Sequence, residues 1–241
     1  PPHISTIVTS SGIFFGISML LKFSLVLLIP FFLIITLTYA WLNTRNFKKV
    51  LKYIGLAILV GIIGMIVIWL VYEFHLLNYP LEKQFDDTKY ILESNALKPL
   101  VNLTYWMSQK PIFRPYAQYL FGLLMATQRV AAGNTTYFLG QVSAAGSWYY
   151  FPIVYFLKIP LAFHLLTLIA MCCLVLKRGL KNCFVRFNYW IKNHFTEFSM
   201  LVFLLIYWLV SIKGNLNLGI RHVLPVFPHV QALRYLQCIK H

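Results

Sequence analysis

Long apolar runs without a charged residue divide this chain and constrain its fold more than any other feature. Asp, Glu, Lys and Arg are absent from residues 4–21, 23–44, 53–72 and 159–176. Each run has the roughly 17 to 25 residues that an α-helix needs to cross a bilayer. Residues 198–212 form a shorter but strongly apolar run. We therefore predict five membrane spans and a sixth that begins near residue 222.

The composition predicts an all-α polytopic membrane protein. Hydrophobic residues make up 59% of the chain and charged residues 11%, and the mean hydropathy is +0.70, far above that of soluble domains. The formal net charge of +15 would suggest nucleic acid as the partner of a soluble chain. Here the basic residues flank apolar runs, where they orient helices in a membrane. We therefore expect membrane lipids, and no nucleic acid, among the partners.

Two basic loops predict the orientation of the spans. Residues 43–52 contain four Lys or Arg and no acid, and residues 177–197 contain five Lys or Arg and one Glu. The positive-inside rule places both loops in the cytoplasm. The segment at 73–158 is then an extracytoplasmic loop region. Within it, residues 115–133 have the apolar spacing of an interfacial helix, and residues 147–160 the aromatic content of an interface belt.

This orientation places several cations at the outer ends of spans. They are Lys22, Lys158, Lys213, Arg221 and His222. Membrane-anchoring lysines are expected mainly on the cytoplasmic side, so a group of cations outside favours an anionic ligand there. Phosphate at the outer leaflet is the obvious candidate, because Arg binds it through two hydrogen bonds and Lys as a point charge. The alternative is that individual lysines only extend from span ends into water.

Other polar residues have simpler interpretations. We expect His164 to hydrogen-bond a neighbouring helix, and Glu73 and His75 to cap a span at the interface. Asp86 and Asp87 lie among other charges, which is typical of a solvated face.

The chain also contains three short recognisable motifs. Gly12 and Gly16 form the small-xxx-small pattern that allows two helices to pack closely. Asn102 and Asn134 begin glycosylation acceptor patterns, which match often by chance. The sequence contains no metal-ligand cluster, phosphate-binding glycine loop or recognisable Ser-His-Asp set, so we predict no metal site.

Three stretches resemble the polyprenyl-phosphate-dependent glycosyltransferases of family 39, which include protein O-mannosyltransferases and the aminoarabinose transferases of lipid A. They are "GISMLLKFSLVLLIP" (16–30), "YFLGQVSAAGSWYYFPIVYFLKIPL" (137–161) and "NLGIRHVLPVFP" (217–228). The resemblance implies a GT-C-type bundle of about five to six transmembrane helices with interfacial helices in its long outer loop. It also implies transfer of a sugar from a polyprenyl-phosphate carrier to a protein or lipid acceptor outside the cytoplasm, at the plasma membrane of a prokaryote.

The resemblance assigns roles to residues. Lys22 matches the family's lysine after the Gly-rich span, which contacts the lipid phosphate, and Arg221 and His222 match the pattern before the final Leu-Pro. We assign all three to holding the donor phosphate, and expect Tyr149, Tyr150, Lys158 and Lys213 to line the site. The donor is then a lipid-linked sugar, and the resemblance leaves a divalent metal open. Two other classes of protein fit the same cations: a transporter or flippase for an anionic lipid, and a noncatalytic membrane scaffold. The absence of internal repeats argues mildly against a transporter.

One part of the family's pattern is missing. The chain begins at Pro1 and ends at His241 just after an apolar stretch starts. We interpret residues 1–241 as a single transmembrane domain fragment, and expect the family's catalytic Asp upstream of Pro1. A base must accept the proton of the acceptor hydroxyl.

We therefore expect the purified 241-residue chain to transfer no sugar when it is incubated with polyprenyl-phosphate donor and acceptor. Turnover by this chain alone, measured as labelled product, would contradict the expectation.

Overall fold

The computed structural model describes residues 4–43, 47–143, 147–178 and 183–215, and for 163, 170–171, 173–178 and 183–187 it describes the backbone alone. The described part is mostly helical. Its α-helices are α1 Ile4–Leu21, α2 Leu28–Asn43, α3 Phe47–Leu76, α4 Leu81–Leu92, α5 Lys98–Ser108, α6 Arg114–Ala132, α7 Tyr150–Lys158, α8 Leu161–Arg178, α9 Cys183–Asn193 and α10 Phe195–Lys213. Phe23–Leu27 and Pro111–Phe113 form 3-10 helices, and β1 Thr136–Phe138 pairs with β2 Gln141–Ser143.

Four helical segments in the described residues are long and apolar enough to cross a membrane. They are Ile4–Leu21, Phe23–Asn43, Phe47–Leu76 and Phe195–Lys213. The chain is thus a mostly helical membrane protein, as the sequence predicts. Helix α8 occupies the position of the span predicted at 159–176. The predicted sixth span near 222 lies outside the described residues.

Helix α3 extends well beyond the run predicted at 53–72. It has 30 residues, which correspond to about 45 Å at the usual helical rise, against roughly 30 Å of hydrocarbon. The helix begins before Lys48, Lys49 and Lys52, because a charged side chain ends an apolar run without interrupting backbone hydrogen bonds. The apolar pattern therefore located the membrane segment but not the ends of the helix.

The second predicted span begins as a 3-10 helix and continues as α2. The change of helix type occurs just before Pro30. Proline has no N–H, so the α-helical hydrogen bond to the carbonyl four residues earlier is missing here. Lys22 separates this segment from α1 in an extended conformation, with φ −158° and ψ 129°.

Glycines bring α1 and α3 into backbone contact. A Cβ at Gly16 would lie 2.7 Å from Val67 Cβ and 2.8 Å from the carbonyl oxygen of Gly64, and a Cβ at Gly12 would lie 2.6 Å from Ile63 Cβ. Neither site has space for a side chain. The structure thus confirms that the Gly12-xxx-Gly16 pattern serves helix packing.

The segment at 73–158 is organised rather than a simple loop. Helices α4, α5 and α6 pack together, and Leu92, Val101 and Leu124 form the centre of their apolar core. Helix α6 confirms the helix predicted at 115–133. Gly133 follows it with φ 70°, the left-handed conformation common after a helix.

A short β-hairpin, which the sequence analysis did not anticipate, follows α6. Its two-residue turn consists of Leu139 and Gly140, with φ 51° and 85°. Positive φ at both positions defines the type I′ turn that matches the twist of paired strands. Asn-Gly is the usual signal for this turn, and Leu-Gly is not, so the hairpin was missed.

The chain forms two compact units, residues 1–131 and 132–241. The centre of the second is an aromatic and aliphatic cluster in which Tyr150, Phe151 and Val154 of α7 pack with Leu204 of α10. Between α7 and α8, Ile159 is extended because the following Pro160 disfavours a helical conformation. Helix α9 lies within the basic segment at 177–197, which the sequence predicted as a cytoplasmic loop.

We expect Gly16→Ala to lower the stability of the protein by about 1–3 kcal/mol, because the new methyl group would overlap backbone atoms of α3. Gly61→Ala is the matched control, since a Cβ at Gly61 meets nothing within 4 Å. Thermal unfolding in detergent, followed by circular dichroism, measures both. Equal melting temperatures for the two variants would contradict the proposed close contact.

Candidate functional site

Lys22 lies at the break between two apolar helical segments. Its side chain is exposed, and in the described part of the chain it makes no hydrogen bond or ion pair. An ammonium group at the edge of a membrane segment is more strongly attracted to an anion than one in bulk water, because the effective dielectric constant is lower there. Lys22 is therefore free to bind an anionic group.

The ring of Phe23, next to Lys22, contacts α6. Its centroid lies 5.8 Å from that of Tyr119, and its Cζ would be only 2.4 Å from a Cβ at Gly122. Tyr119 also makes an edge-to-face contact with Tyr72 of α3, at 5.8 Å. The tip of the α1–α2 hairpin, the end of α3 and the middle of α6 thus meet around one tyrosine ring.

The hydroxyl of Tyr119 is buried and has no hydrogen-bond partner in the described residues. Burial raises the pKa of Tyr119 to about 12, and nearby Tyr72 adds to the increase. The phenol is therefore neutral at physiological pH and is a potential donor. The sequence predicts only that residues 115–133 form an interfacial helix, because apolar spacing does not reveal whether the hydroxyl of Tyr119 finds a partner.

A buried polar network holds α6 against α4. The amide nitrogen of Gln84, a residue that is 1% exposed, donates to Gln118 Oε1 at 3.1 Å, and Gln84 Oε1 accepts from Arg114 Nε at 2.8 Å. Arg114 Nη2 also donates to the carbonyl of Tyr79 at 2.7 Å. Tyr79 in turn donates its hydroxyl to Asp87. Asp87 therefore has a structural role.

Two further hydrogen bonds connect the segments around α6 to other parts of the first unit. Trp69 Nε1 in α3 donates to the carbonyl of Ile112 at 2.9 Å, and Asn95 Nδ2 donates to the carbonyl of Leu124 at 3.0 Å. Asn95 is 2% exposed, so its bond satisfies a buried amide. The first bond joins α3 to the segment just before α6, and the second joins the loop after α4 to α6.

The second unit presents an aromatic surface along α7. Tyr150 is buried, and its ring lies 4.8 Å from Phe138 of the hairpin in an edge-to-face contact. Tyr149 is partly exposed and its ring lies 5.9 Å from Phe138. Of the two tyrosines predicted to line the site, Tyr149 is accessible, whereas Tyr150 belongs to the core.

Lys158 and Lys213 are the last residues of α7 and α10. Both side chains are exposed, and neither has a hydrogen-bond or ion-pair partner within the described residues. Residues 132–241 contain a single acid, Glu197. It lies in the first turn of α10, roughly 24 Å along the helix from Lys213, and pairs with His194 at 3.2 Å. Neither lysine therefore has a carboxylate partner among the described residues.

The predicted site residues fall in different parts of the chain. Lys22 belongs to the first unit, and Tyr149, Tyr150, Lys158 and Lys213 belong to the second. The Arg221–His222 pair lies outside the described residues.

Among the weaker candidates, His164 and Asp86 match their simpler interpretations, whereas His75 contacts its own helix. His164 Nε2 lies 3.2 Å from the carbonyl oxygen of Phe156 on the neighbouring helix α7, and its ring stacks on that of Phe156. His75 Nδ1 lies 2.7 Å from the carbonyl of Val71 in its own helix. Asp86 is exposed and borders an open cavity of about 370 Å³ together with lysines and Glu93.

The acceptor pattern at Asn102 lies within helix α5. Thr104, its third residue, is fully buried, and its hydroxyl donates to the carbonyl of Leu100 at 2.8 Å. A threonine held in this way is inaccessible to a modifying enzyme in the folded protein.

The described residues contain no group of three or more His, Cys, Asp or Glu side chains that could hold a metal ion. Comparison with known proteins adds no relative: no family model, curated protein or solved structure matches the chain.

Two tyrosine substitutions compare the hydroxyl of Tyr119, which has no partner in the described residues, with that of Tyr79, which donates to Asp87. We expect Tyr79→Phe to lower stability by about 1 kcal/mol, because Asp87 loses its donor, and Tyr119→Phe to leave stability unchanged or raise it. Parallel chemical denaturation of the two variants in detergent measures the difference. A larger loss for Tyr119→Phe than for Tyr79→Phe would show that the Tyr119 hydroxyl is already satisfied in the native protein.

Proposed function

We propose that this chain belongs to a membrane glycosyltransferase that takes a sugar from a polyprenyl-phosphate carrier and transfers it to a protein or lipid acceptor. The reaction takes place on the extracytoplasmic side of a prokaryotic plasma membrane. The observation that supports this proposal best is the set of uncompensated lysines. Lys22, Lys158 and Lys213 each follow or end an apolar helix, are exposed, and lack a carboxylate partner in the described residues.

The chemistry of the transfer requires positive charge at the donor phosphate. The acceptor oxygen forms a bond to the anomeric carbon while the bond from that carbon to the phosphate oxygen breaks. The electron pair of the broken bond remains on the phosphate, and a base takes the proton of the acceptor hydroxyl. Fixed cations stabilise the charge that develops on this leaving group. In the proposal, Lys22, Arg221 and His222 supply these cations. Lys22 acts as a point charge, and Arg221 forms paired hydrogen bonds.

Two further features support the proposal. The stretches that resemble family 39 include the three phosphate-binding candidates as well as Tyr149, Tyr150 and Lys158. Tyr149 is an accessible aromatic side chain immediately before α7, the short helix that ends at Lys158, which suits the entrance of a site that admits a lipid-linked sugar. In this proposal the chain contributes the GT-C-like helical bundle and the phosphate-binding residues.

Substitution of the proposed phosphate ligands tests the function. We expect Lys22→Ala and Arg221→Ala, in the protein expressed from its complete gene, each to lower sugar transfer by about 10²-fold or more while membrane expression is retained. Lys22→Arg, which keeps the charge, should recover part of the activity. Lys83→Ala on the exposed face of α4 is the matched control and should retain full activity.

The same variants separate the other two classes of protein. If Arg221→Ala leaves transfer unaffected but stops the movement of an anionic lipid across proteoliposomes, the protein is a flippase. If neither transfer nor lipid movement changes, the membrane region is a scaffold. Either result would overturn the transferase proposal.

A further inference from the structure

The stretch from residue 130 to residue 157 contains no Asp, Glu, Lys or Arg. It lies between Arg129 and Lys158, outside the segments that are long enough to span a membrane. It includes the β-hairpin and most of α7. A segment of this length in contact with water alone would ordinarily carry charges on its surface. Its composition indicates an apolar environment.

The hairpin has two distinct faces. Phe138 pairs with Gln141, and Tyr137 pairs with Val142. Residues that pair across two strands share a face, and adjacent residues point to opposite faces. Phe138 packs against α7 through Tyr149 and Tyr150. On the opposite face, Tyr137 is 73% exposed and Val142 is 70% exposed.

The turn of the hairpin carries an apolar side chain in an unfavourable conformation. Leu139 has φ 51°, and it is 65% exposed. Asn, Asp and Gly adopt this conformation more readily than leucine, and they dominate type I′ turns. Leucine here therefore serves neither the backbone of the turn nor the core of the unit. An outlier of this kind points to a function for the side chain.

We propose that this hairpin inserts its tip into the outer leaflet of the lipid bilayer. Leu139 enters the acyl region, and Tyr137 and Val142 follow on the face that points away from α7. Trp148, which is 71% exposed, contacts Tyr149 and lies at the headgroup level that tryptophan and tyrosine prefer.

Lipid is the occupant that the surroundings favour. The hairpin packs on α7, and α7 packs on α10, which is long and apolar enough to cross the membrane. The apolar surface is therefore continuous with a membrane segment. Phe156 and Leu157 of α7 are also exposed and extend it. The uncharged stretch offers no ionic contact to a soluble partner. This anchoring does not depend on the proposed sugar transfer.

Site-specific fluorescence tests the insertion. Val142→Cys and Gln141→Cys, in the full chain with its four cysteines changed to serine, place a polarity-sensitive dye on opposite faces of one strand. The proteins are reconstituted in vesicles of phosphatidylcholine and phosphatidylglycerol. Nitroxide-labelled lipid reports contact with acyl chains, and iodide reports contact with water.

We expect the lipid quencher to act on the dye at 142 several-fold more strongly than on the dye at 141, and iodide to show the opposite order. Equal quenching of both dyes by iodide would place the hairpin in water and overturn the proposal. Protection of the dye at 142 from both quenchers would mean that protein covers this face, such as a second copy of the chain, and would overturn it as well.

Leu139→Asn tests the role of the tip without breaking the turn, because Asn-Gly is the preferred type I′ pair. We expect this variant to keep the melting temperature of the parent or raise it, while lipid quenching of the dye at 142 falls several-fold. If lipid quenching is unchanged, Leu139 does not anchor the hairpin and the proposal is wrong.

Discussion

The contact between the backbones of α1 and α3 is the constraint on which the first unit depends. Apolar side chains gain little by leaving lipid for one another, so helices in a bilayer associate mainly through close packing and hydrogen bonds. Gly12, Gly16 and Gly64 allow that packing, because each position has no room for a Cβ atom. The contact fixes the direction of α3 relative to α1. The C-terminal half of α3 is joined to the helices that follow by the hydrogen bond from Trp69 Nε1 to the carbonyl of Ile112.

Polar contacts rather than apolar periodicity define how α4, α5 and α6 pack together. The buried face of α4 consists of Gln84, Thr88 and Leu92, at four-residue spacing. Two of these residues are polar, and hydrogen bonds make their burial tolerable. Gln84 bonds to α6, and Thr88 donates to the carbonyl of Gln84 at 2.6 Å. The hydroxyl of Tyr119 differs from this network, because it has no hydrogen-bond partner in the described residues although the rings of Phe23 and Tyr72 pack against it.

Charge is distributed unevenly in the second unit, and this bears on the proposed function. Its only acid, Glu197, is 6% exposed and pairs with His194, at the opposite end of α10 from Lys213. Lys158 and Lys213, at the ends of their helices, therefore have no carboxylate partner in the described residues. An anionic lipid headgroup would supply the missing counter-charge. This arrangement suits the phosphate of a lipid-linked sugar, which is the substrate class of the proposed transferase.

The sequence by itself determined the membrane class of this protein, the approximate positions of its apolar helices and the packing role of Gly12 and Gly16. These properties follow from the length and composition of local segments. Both act in the same way in any lipid bilayer. Helix α6 was also predictable, because it has both apolar spacing and a terminal glycine. Lys22 could be selected as a candidate because its charge interrupts an apolar run.

Only the tertiary structure decided which polar groups are satisfied and which are not. It buried Tyr150 but left Tyr149 accessible. It gave Asp87 a hydrogen bond, whereas the Tyr119 hydroxyl has none within the described part of the chain. It also formed a hairpin around Leu139, whose turn has no conventional sequence signal. These outcomes depend on contacts between residues far apart in the chain. Local pattern contains no information on whether a donor meets an acceptor or which face of a strand meets a neighbour.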